Sequence, residues 1–126
     1  MTRMTLAIGL GVTLATAAFA EAPTMSVTAL QARQESGTAT VIVDVRSPAE
    51  YASGHIPGAI NIPFDQVAQR LDEVDASQDI AVYCMVGPRA RKGETALLAA
   101  GYKKVFHVGG GFGAWRAAGL PVEVQR

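Results

Sequence analysis

The segment DIAVYCMVGPR, residues 79–89, decides the fold class of this chain. After Asp79, residues 80–84 form a short apolar run, and the six residues 79–84 are typical of a buried strand. Gly87 and Pro88 cannot continue a central strand, and the residues from 90 to 100 have a helical pattern. The segment therefore predicts a strand that passes through a tight loop into a helix, with Cys84 at the carboxyl end of the strand.

Strands and helices alternate on both sides of this segment, after a short leader at residues 21–26. Apolar and β-branched runs predict further strands, at residues 40–45 (TVIVDV), 59–62 and 104–108. Helical patterns predict helices, at residues 29–35 after an N-cap at Thr28, 47–51, 64–74 and 114–118. This alternation is the signature of a parallel α/β sheet with right-handed crossovers, in which chemistry collects at the carboxyl ends of the strands.

The composition excludes several classes of function. The 126 residues suffice for one domain, and 11 Lys and Arg balance 11 Asp and Glu. A net charge of zero gives no support to binding of nucleic acid or of a membrane surface. The single cysteine excludes an intramolecular disulfide and a cysteine-cluster metal site, and the two histidines are far apart. We therefore predict no metal site and no cofactor.

The first twenty residues are predicted to be a secretory signal peptide, residues 1–20. Arg3 precedes an uncharged apolar run over residues 5–18, and the sequence A-F-A at 18–20 provides small residues for cleavage after Ala20. The alternative is an uncleaved membrane anchor, which needs about twenty apolar residues; this run is shorter and contains Gly and Thr. We therefore expect residues 21–126 to form one exported, periplasmic domain without a stable membrane anchor.

The loop that begins at Cys84 has the pattern C-x-x-G-x-R and ends at Arg89. A glycine-containing loop between a strand and a helix turns backbone N–H groups toward an anion, and the helix dipole and Arg89 add positive charge. Arg91 extends this positive rim. These features favour Cys84 as a thiolate, the nucleophilic form, in a compartment where exported proteins normally pair their cysteines or lack them. The alternative for Cys84 is a small buried apolar residue.

Four motifs resemble the rhodanese domain. They are D-V-R at residues 44–46, G-H-I-P-G-A-I-N-I-P at 54–63, the loop at 84–89, and G-G-F-G-A-W at 110–115 followed by G-L-P at 119–121. Their order and spacing match a single-domain rhodanese over nearly all of residues 21–126, and a signal peptide with one small domain is similar to the periplasmic phage-shock type. The resemblance implies a three-layer α/β sandwich, with a mainly parallel central sheet of about five strands flanked by helices.

The resemblance also implies a two-step transfer of sulfur. Cys84 attacks the sulfane sulfur of thiosulfate, expels sulfite and becomes a persulfide, and cyanide or a thiol, including a protein thiol, then accepts that sulfur. The backbone amides of residues 85–89 stabilise the charge, Arg89 orients the donor, and the substrate also contacts the residues that follow the cysteine, which are Met85, Val86 and Gly87. Pro88 is the exception among residues 85–89, because it has no backbone N–H to donate to the bound anion.

Charged residues on a second strand are expected at the same edge of the sheet. Asp44 and Arg46 lie at the end of the run at 40–45 and are secondary candidates for substrate contact, although pairing of Arg46 with Glu50 is the favoured role. His55 is expected to make a structural hydrogen bond within its turn. Trp115 is expected to anchor the last helix in the core.

Two other functions stay open at this point. A sulfur carrier whose donor and acceptor are proteins would use the same Cys84 persulfide. Cysteine phosphatases and arsenate reductases carry a C-x5-R loop, whereas here the sixth position after the cysteine is Ala90 and Arg89 comes one residue earlier. The shorter loop has fewer amides, which favours a sulfur atom over a tetrahedral oxyanion.

Overall fold

The computed structural model describes residues 21–125 together with Gly9 and Gly11, so the predicted signal peptide lies outside the described residues apart from these two glycines. Strands and helices follow one another as β1 (Thr24–Met25), α1 (Val27–Glu35), β2 (Thr40–Asp44), α2 (Pro48–Ser53), β3 (Ile60–Asn61), two 3-10 turns (Phe64–Gln69 and Leu71–Glu73), β4 (Asp79–Tyr83), α3 (Pro88–Ala99), β5 (Val105–Val108) and α4 (Gly111–Ala117). No helix in this part of the chain has the length and apolar character needed to cross a bilayer.

The five strands form one sheet in the order β1-β5-β4-β2-β3, and every neighbouring pair is parallel. The sequence therefore predicted the sheet type correctly. β2 and β4 lie side by side with Asp44 opposite Tyr83. The carboxyl ends of these two strands consequently meet at one edge, and Cys84 follows directly after Tyr83.

Both faces of the sheet are buried, which explains the apolar runs without polar alternation. Val43 and Val82 belong to a core cluster shared with Leu97 of α3, whereas Ile42 and Tyr83 belong to a second cluster, shared with Leu30 of α1 and Trp115 of α4. The protein thus has three layers, as predicted.

Two residues that the sequence assigned to structural roles have those roles. Trp115 is fully buried, and its indole N–H donates to the carbonyl of Pro121 at 2.7 Å. The Nδ1 atom of His55 lies 2.8 Å from the carbonyl oxygen of Tyr51, and the two rings stack with centroids 3.8 Å apart. Both side chains hold loops against the core.

Three local predictions were wrong. The leader contains β1, which adds to the sheet edge because the N–H of His107 donates to Pro23 and that of Gly109 to Met25. Helix α1 begins at Val27, since the side chain of Ser26 rather than Thr28 caps it. Residues 64–74 form two 3-10 turns instead of one α-helix. Arg70 separates the turns with φ −126° and ψ 30°, which lies outside the helical region.

Candidate active site

Cys84 lies at the carboxyl end of β4 as a free cysteine and is 1% exposed. It packs in the core cluster with Val82, Ala90 and Val105. The burial agrees with the alternative reading of Cys84 as a small apolar residue as well as with a nucleophile at the base of a loop. The groups that surround the residue therefore decide between the two.

The loop after Cys84 contains five backbone N–H groups that make no hydrogen bond within the described chain; they belong to Met85, Val86, Gly87, Arg89 and Ala90. Helix α3 begins at Pro88 with Gly87 as its N-cap, and no side chain caps it. Unpaired N–H groups at a helix N-terminus bind anions, because the groups and the helix dipole are both electropositive. The backbone thus contributes positive potential at this loop.

Helix α4 fixes the start of the loop. The N–H of Phe112 donates to the carbonyl of Cys84 at 2.8 Å, and that of Gly113 donates to the carbonyl of Met85 at 2.9 Å. Gly111 has φ +57°, and a Cβ on it would lie 2.4 Å from the Cys84 oxygen. These residues belong to the motif at 110–115 that resembles the rhodanese domain. Their positioning role was missed, although the run of three glycines at 109–111 was the available signal.

Arg89 forms a salt bridge with Glu50 of α2, with N···O distances of 2.7 Å and 3.1 Å. The hydrogen bonds from Arg89 lower the pKa of Glu50 to about 2. The same hydrogen bonds raise the pKa of Arg89, to which charge on Cys84 adds a smaller contribution. Arg89 thus lies within electrostatic reach of Cys84, but its charge is already shared with a carboxylate.

The expected pairing of Arg46 with Glu50 was wrong. Arg46 instead donates to Asp44, with a shortest distance of 2.6 Å, and to the carbonyl of Gly54 at 2.7 Å. Its guanidinium lies 4.2 Å from the centroid of the Phe112 ring. Parallel pairing of β2 with β4 places α2 beside the loop. Glu50 therefore pairs with Arg89, which is 39 residues away in sequence, and not with Arg46.

Asp44 and Arg46 are 0% and 1% exposed, and the hydroxyl of Tyr83 donates to Asp44 at 2.7 Å. Burial, and then the charge of Asp44, raise the pKa of Tyr83. This buried network joins the ends of β2 and β4 below the loop. It holds the two strand ends together, and both carboxylate oxygens of Asp44 accept hydrogen bonds. Arg46 donates through Nε and Nη2, and its side chain also lines the cleft beside the loop.

Arg91 is not brought to the loop. Its guanidinium donates to the carbonyl of Ala22 at 2.9 Å and to Glu94 at 3.2 Å. The structure therefore gathers Cys84, Arg89 and the intervening residues in one loop, with Asp44 and Arg46 beneath it, and turns Arg91 toward the segment that precedes β1. Among residues 21–125, no group of three or more His, Cys, Asp or Glu side chains is arranged to hold a metal ion.

A cleft of about 360 Å³ lies beside the loop. Met85 is on its wall, and the other side is formed by α4 and the C-terminal segment, including Phe112, Arg116, Val122 and Val124. Cys84 does not line the cleft. The side chains of Met85 and Val86 are 37% and 64% exposed, so the loop presents apolar groups to solvent next to this cleft.

Comparison with known proteins gives a consistent assignment. Residues 26–118 match the rhodanese-like domain. A sulfurtransferase of Allochromatium vinosum is 37% identical over 82 residues, which cover 65% of this chain and 77% of that protein. A putative sulfur carrier protein of Bacillus subtilis is 32% identical over 93 residues, which cover 74% of this chain and 50% of that protein. This chain thus spans only half the length of the second relative.

The fold comparison agrees. The solution NMR structure of the rhodanese-like domain of an Anabaena sp. protein superimposes with a TM-score of 0.75 at 34% identity, covering 81% of this chain and 79% of that chain. The predicted rhodanese-like fold is therefore confirmed. With a family match that spans most of residues 21–125 and a solved domain of the same topology, this chain belongs to the rhodanese-like domain family.

Proposed function

We propose that this protein is a thiosulfate sulfurtransferase that carries the transferred sulfur as a persulfide on Cys84. The observation that carries the proposal is the position of Cys84 at the end of β4, where five backbone N–H groups without a partner in the described chain follow it within six residues. Similarity to a sulfurtransferase over 77% of that protein's length supports the same chemistry.

The reaction consists of two displacements. The Cys84 thiolate attacks the sulfane sulfur of thiosulfate, so that a new S–S bond forms, the bond to the sulfonate sulfur breaks, and sulfite leaves with the electron pair. Cyanide or a thiolate then attacks the outer sulfur of the persulfide and releases the Cys84 thiolate. Neither step needs a cofactor or a dedicated base, because each nucleophile enters as an anion and each leaving group departs as one.

The backbone of the loop stabilises the anionic species in both steps. A persulfide places its negative charge one bond beyond Sγ, where hydrogen bonds from Met85, Val86 and Gly87 hold it as they would hold an oxyanion. Arg89 orients the anionic donor and must share its charge between the donor and Glu50. The Glu50 carboxylate therefore competes with thiosulfate for the same guanidinium.

Access to Cys84 requires a shift of the loop, because the cysteine is 1% exposed. The carbonyls of Cys84 and Met85 are held by α4, so the movement falls on the residues after them. Val86 is 64% exposed and buries little apolar area, which keeps the cost of such a movement small.

A sulfur carrier that exchanges sulfur with other proteins is a second candidate. It is favoured by the similarity to a putative sulfur carrier protein and by the exposed apolar side chains of Met85, Val86, Val122 and Val124 around the loop and the cleft. A protein thiol would then be the acceptor. Faster loading of Cys84 from a persulfide-bearing protein than from thiosulfate would favour the carrier.

We also propose that residues 1–20 are removed as a signal peptide and that the domain at 21–126 acts in the periplasm, as in the phage-shock type that the sequence resembles. The apolar run and the A-F-A cleavage signature support this proposal. N-terminal sequencing of the protein recovered from a periplasmic extract is expected to begin at Glu21. Recovery of the full chain from the cytoplasm alone would contradict it.

The activity is tested by measuring thiocyanate formation from thiosulfate and cyanide in the wild type and in Cys84→Ser. We expect the variant to lose the transfer while its circular dichroism and thermal unfolding stay close to those of the wild type, because serine is nearly isosteric. Residual activity near that of the wild type would show that Cys84 is not the nucleophile. Turnover of a phosphate ester that exceeds sulfur transfer would overturn the assignment in favour of the C-x5-R class.

A further inference from the structure

A buried carboxylate–imidazole pair lies behind the candidate catalytic loop and takes no part in the reaction described above. Oε2 of Glu94 in α3 and Nδ1 of His107 in β5 are 2.6 Å apart, and the two residues are 1% and 7% exposed. Burial of such a pair carries a desolvation cost that its attraction does not always recover. A buried pair next to a reactive loop is therefore a candidate for function.

His107 faces the loop. A Cβ placed on Gly87 would lie 3.7 Å from both Cε1 and Nε2 of His107. In the sheet, His107 is the register partner of Val82. Cys84, which follows the end of β4, belongs to the same core cluster as Val82. Nε2 makes no hydrogen bond with the part of the chain that the structure describes. The free nitrogen of the ring is therefore the one beside the loop.

Few charged groups surround this imidazole. On α3, Glu94 bonds it directly, and Arg91 donates to the other oxygen of Glu94 at 3.2 Å. Arg91 also lies 4.0 Å from Glu21, before β1. β4 and β1 place Val82 and Thr24 as its register partners, and neither residue titrates. Cys84, two residues after Val82, is the titratable residue at the start of the loop.

The carboxylate fixes the tautomer of the ring. Burial raises the pKa of Glu94, although its interactions with His107 and Arg91 oppose this shift. In its ionised form Glu94 can only accept a hydrogen bond, so Nδ1 of His107 then carries a proton and donates it. Neutral His107 thus directs a lone pair at the loop through Nε2, and protonated His107 directs an N–H. An anionic sulfur on Cys84 favours the protonated form, since opposite charges attract across a poorly hydrated space.

We propose that His107, held by Glu94, is a positioning residue that takes up a proton from solvent at Nε2 when Cys84 becomes a thiolate or a persulfide anion. The imidazolium then supports the loop at Gly87, next to Pro88, which has no N–H to offer. Arg89 and Arg46 already share their charge with the carboxylates of Glu50 and Asp44. The inference rests on the proposed function only in that Cys84 is the reacting residue.

The first test measures the rate at which iodoacetamide alkylates Cys84 as a function of pH, a reaction in which the thiolate displaces iodide. His107→Gln keeps a donor for Glu94 but cannot titrate. We expect this variant to react about tenfold more slowly than the wild type at pH 7, and to lose the step of the pH profile that falls in the imidazole range. His55→Gln, which removes the other imidazole, is the matched control and is expected to keep the wild-type profile.

The second test needs no change at position 107. The NMR titration of the His107 ring is compared between the wild type and Cys84→Ser, and we expect a lower midpoint in the variant because the neighbouring anion is gone. Superimposable alkylation profiles for wild type and His107→Gln, or equal His107 midpoints in the presence and absence of the Cys84 thiol, would overturn the inference. Neither measurement uses thiosulfate, so failure of the proposed activity would be seen separately.

Discussion

Gly111 sets how closely α4 approaches the loop, so Gly111→Ala tests whether this contact positions Cys84. An alanine Cβ would lie 2.4 Å from the carbonyl oxygen of Cys84 and 2.8 Å from that of Met85, whereas real Cβ contacts essentially never fall below 3.0 Å. Both oxygens belong to the backbone and cannot rotate away. Helix α4 and the loop must therefore separate by at least about 0.6 Å at the Cys84 carbonyl.

The cost of this substitution has two parts. Alanine at φ +57° costs about 1–2 kcal/mol, and overpacking of a rigid contact costs about 1–3 kcal/mol. A loss of about 2–5 kcal/mol leaves most domains folded, since their stability is about 5–15 kcal/mol. The displacement also moves the nucleophile, and misplacement of a reacting group by about 1 Å costs up to about 10²-fold in rate. We expect kcat for sulfur transfer to fall by about ten- to a hundredfold.

Urea unfolding and the thiosulfate–cyanide assay measure the two effects. Gly37→Ala is the matched control, because Gly37 has a similar φ of +71° but no atom lies within 4 Å of its Cβ position. It should lose only the conformational cost of about 1–2 kcal/mol and keep its kcat. If Gly111→Ala behaves like this control in both measurements, α4 does not position the loop as described.

Three further variants test the charged and polar groups around the site. Arg89→Ala should raise the KM for thiosulfate by about ten- to a hundredfold, because a charge-assisted contact is lost and Glu50 is left unpaired. An unchanged KM in steady-state kinetics would show that Arg89 does not bind the sulfur donor. Glu50→Gln should be less stable than the wild type above about pH 4.5, and the difference in unfolding free energy should vanish as the pH falls toward 2. The reason is that the pKa of Glu50 is about 2 in the folded state and 4.5 in the unfolded state. An equal difference at both ends of a urea-unfolding pH series would contradict this. Tyr83→Phe should lose about 1–3 kcal/mol of unfolding free energy with kcat unchanged, because Asp44 and the N–H of Ile56 lose their hydrogen-bond partner. A fall in kcat without loss of stability would count against a structural role for the Tyr83 hydroxyl.

The central strands were predictable because the residues of each strand show its burial by their own apolar character. β2 and β4 alternate between two apolar faces, so their central residues are all apolar, and the observed ends lie within one residue of the prediction. β1 has two residues and exists only through pairing with β5, which a local pattern does not contain. The segment at 64–74 has helical spacing, but only Val67 and Val74 of its apolar side chains are buried. Burial of two side chains was not sufficient to make the segment an α-helix.

The site was predictable where it depends on one continuous segment and not where it depends on pairing across the fold. Cys84 and the unpaired amides follow from a strand, a glycine and a helix in succession. The partner of Glu50 does not, because the sequence near α2 offers Arg46, whereas the fold brings Arg89 from a distant loop. In the same way, Glu94 and His107 meet only because α3 packs on β5.

The central claim is that Cys84 accepts a sulfane sulfur and passes it on. Intact-mass spectrometry of the purified protein before and after incubation with thiosulfate tests this directly, with Cys84→Ser as the control. We predict that the wild type gains the mass of one sulfur atom, that cyanide reverses the gain, and that the variant gains nothing. A wild-type mass unchanged by both thiosulfate and a persulfide donor, or an equal gain in the variant, would contradict the account.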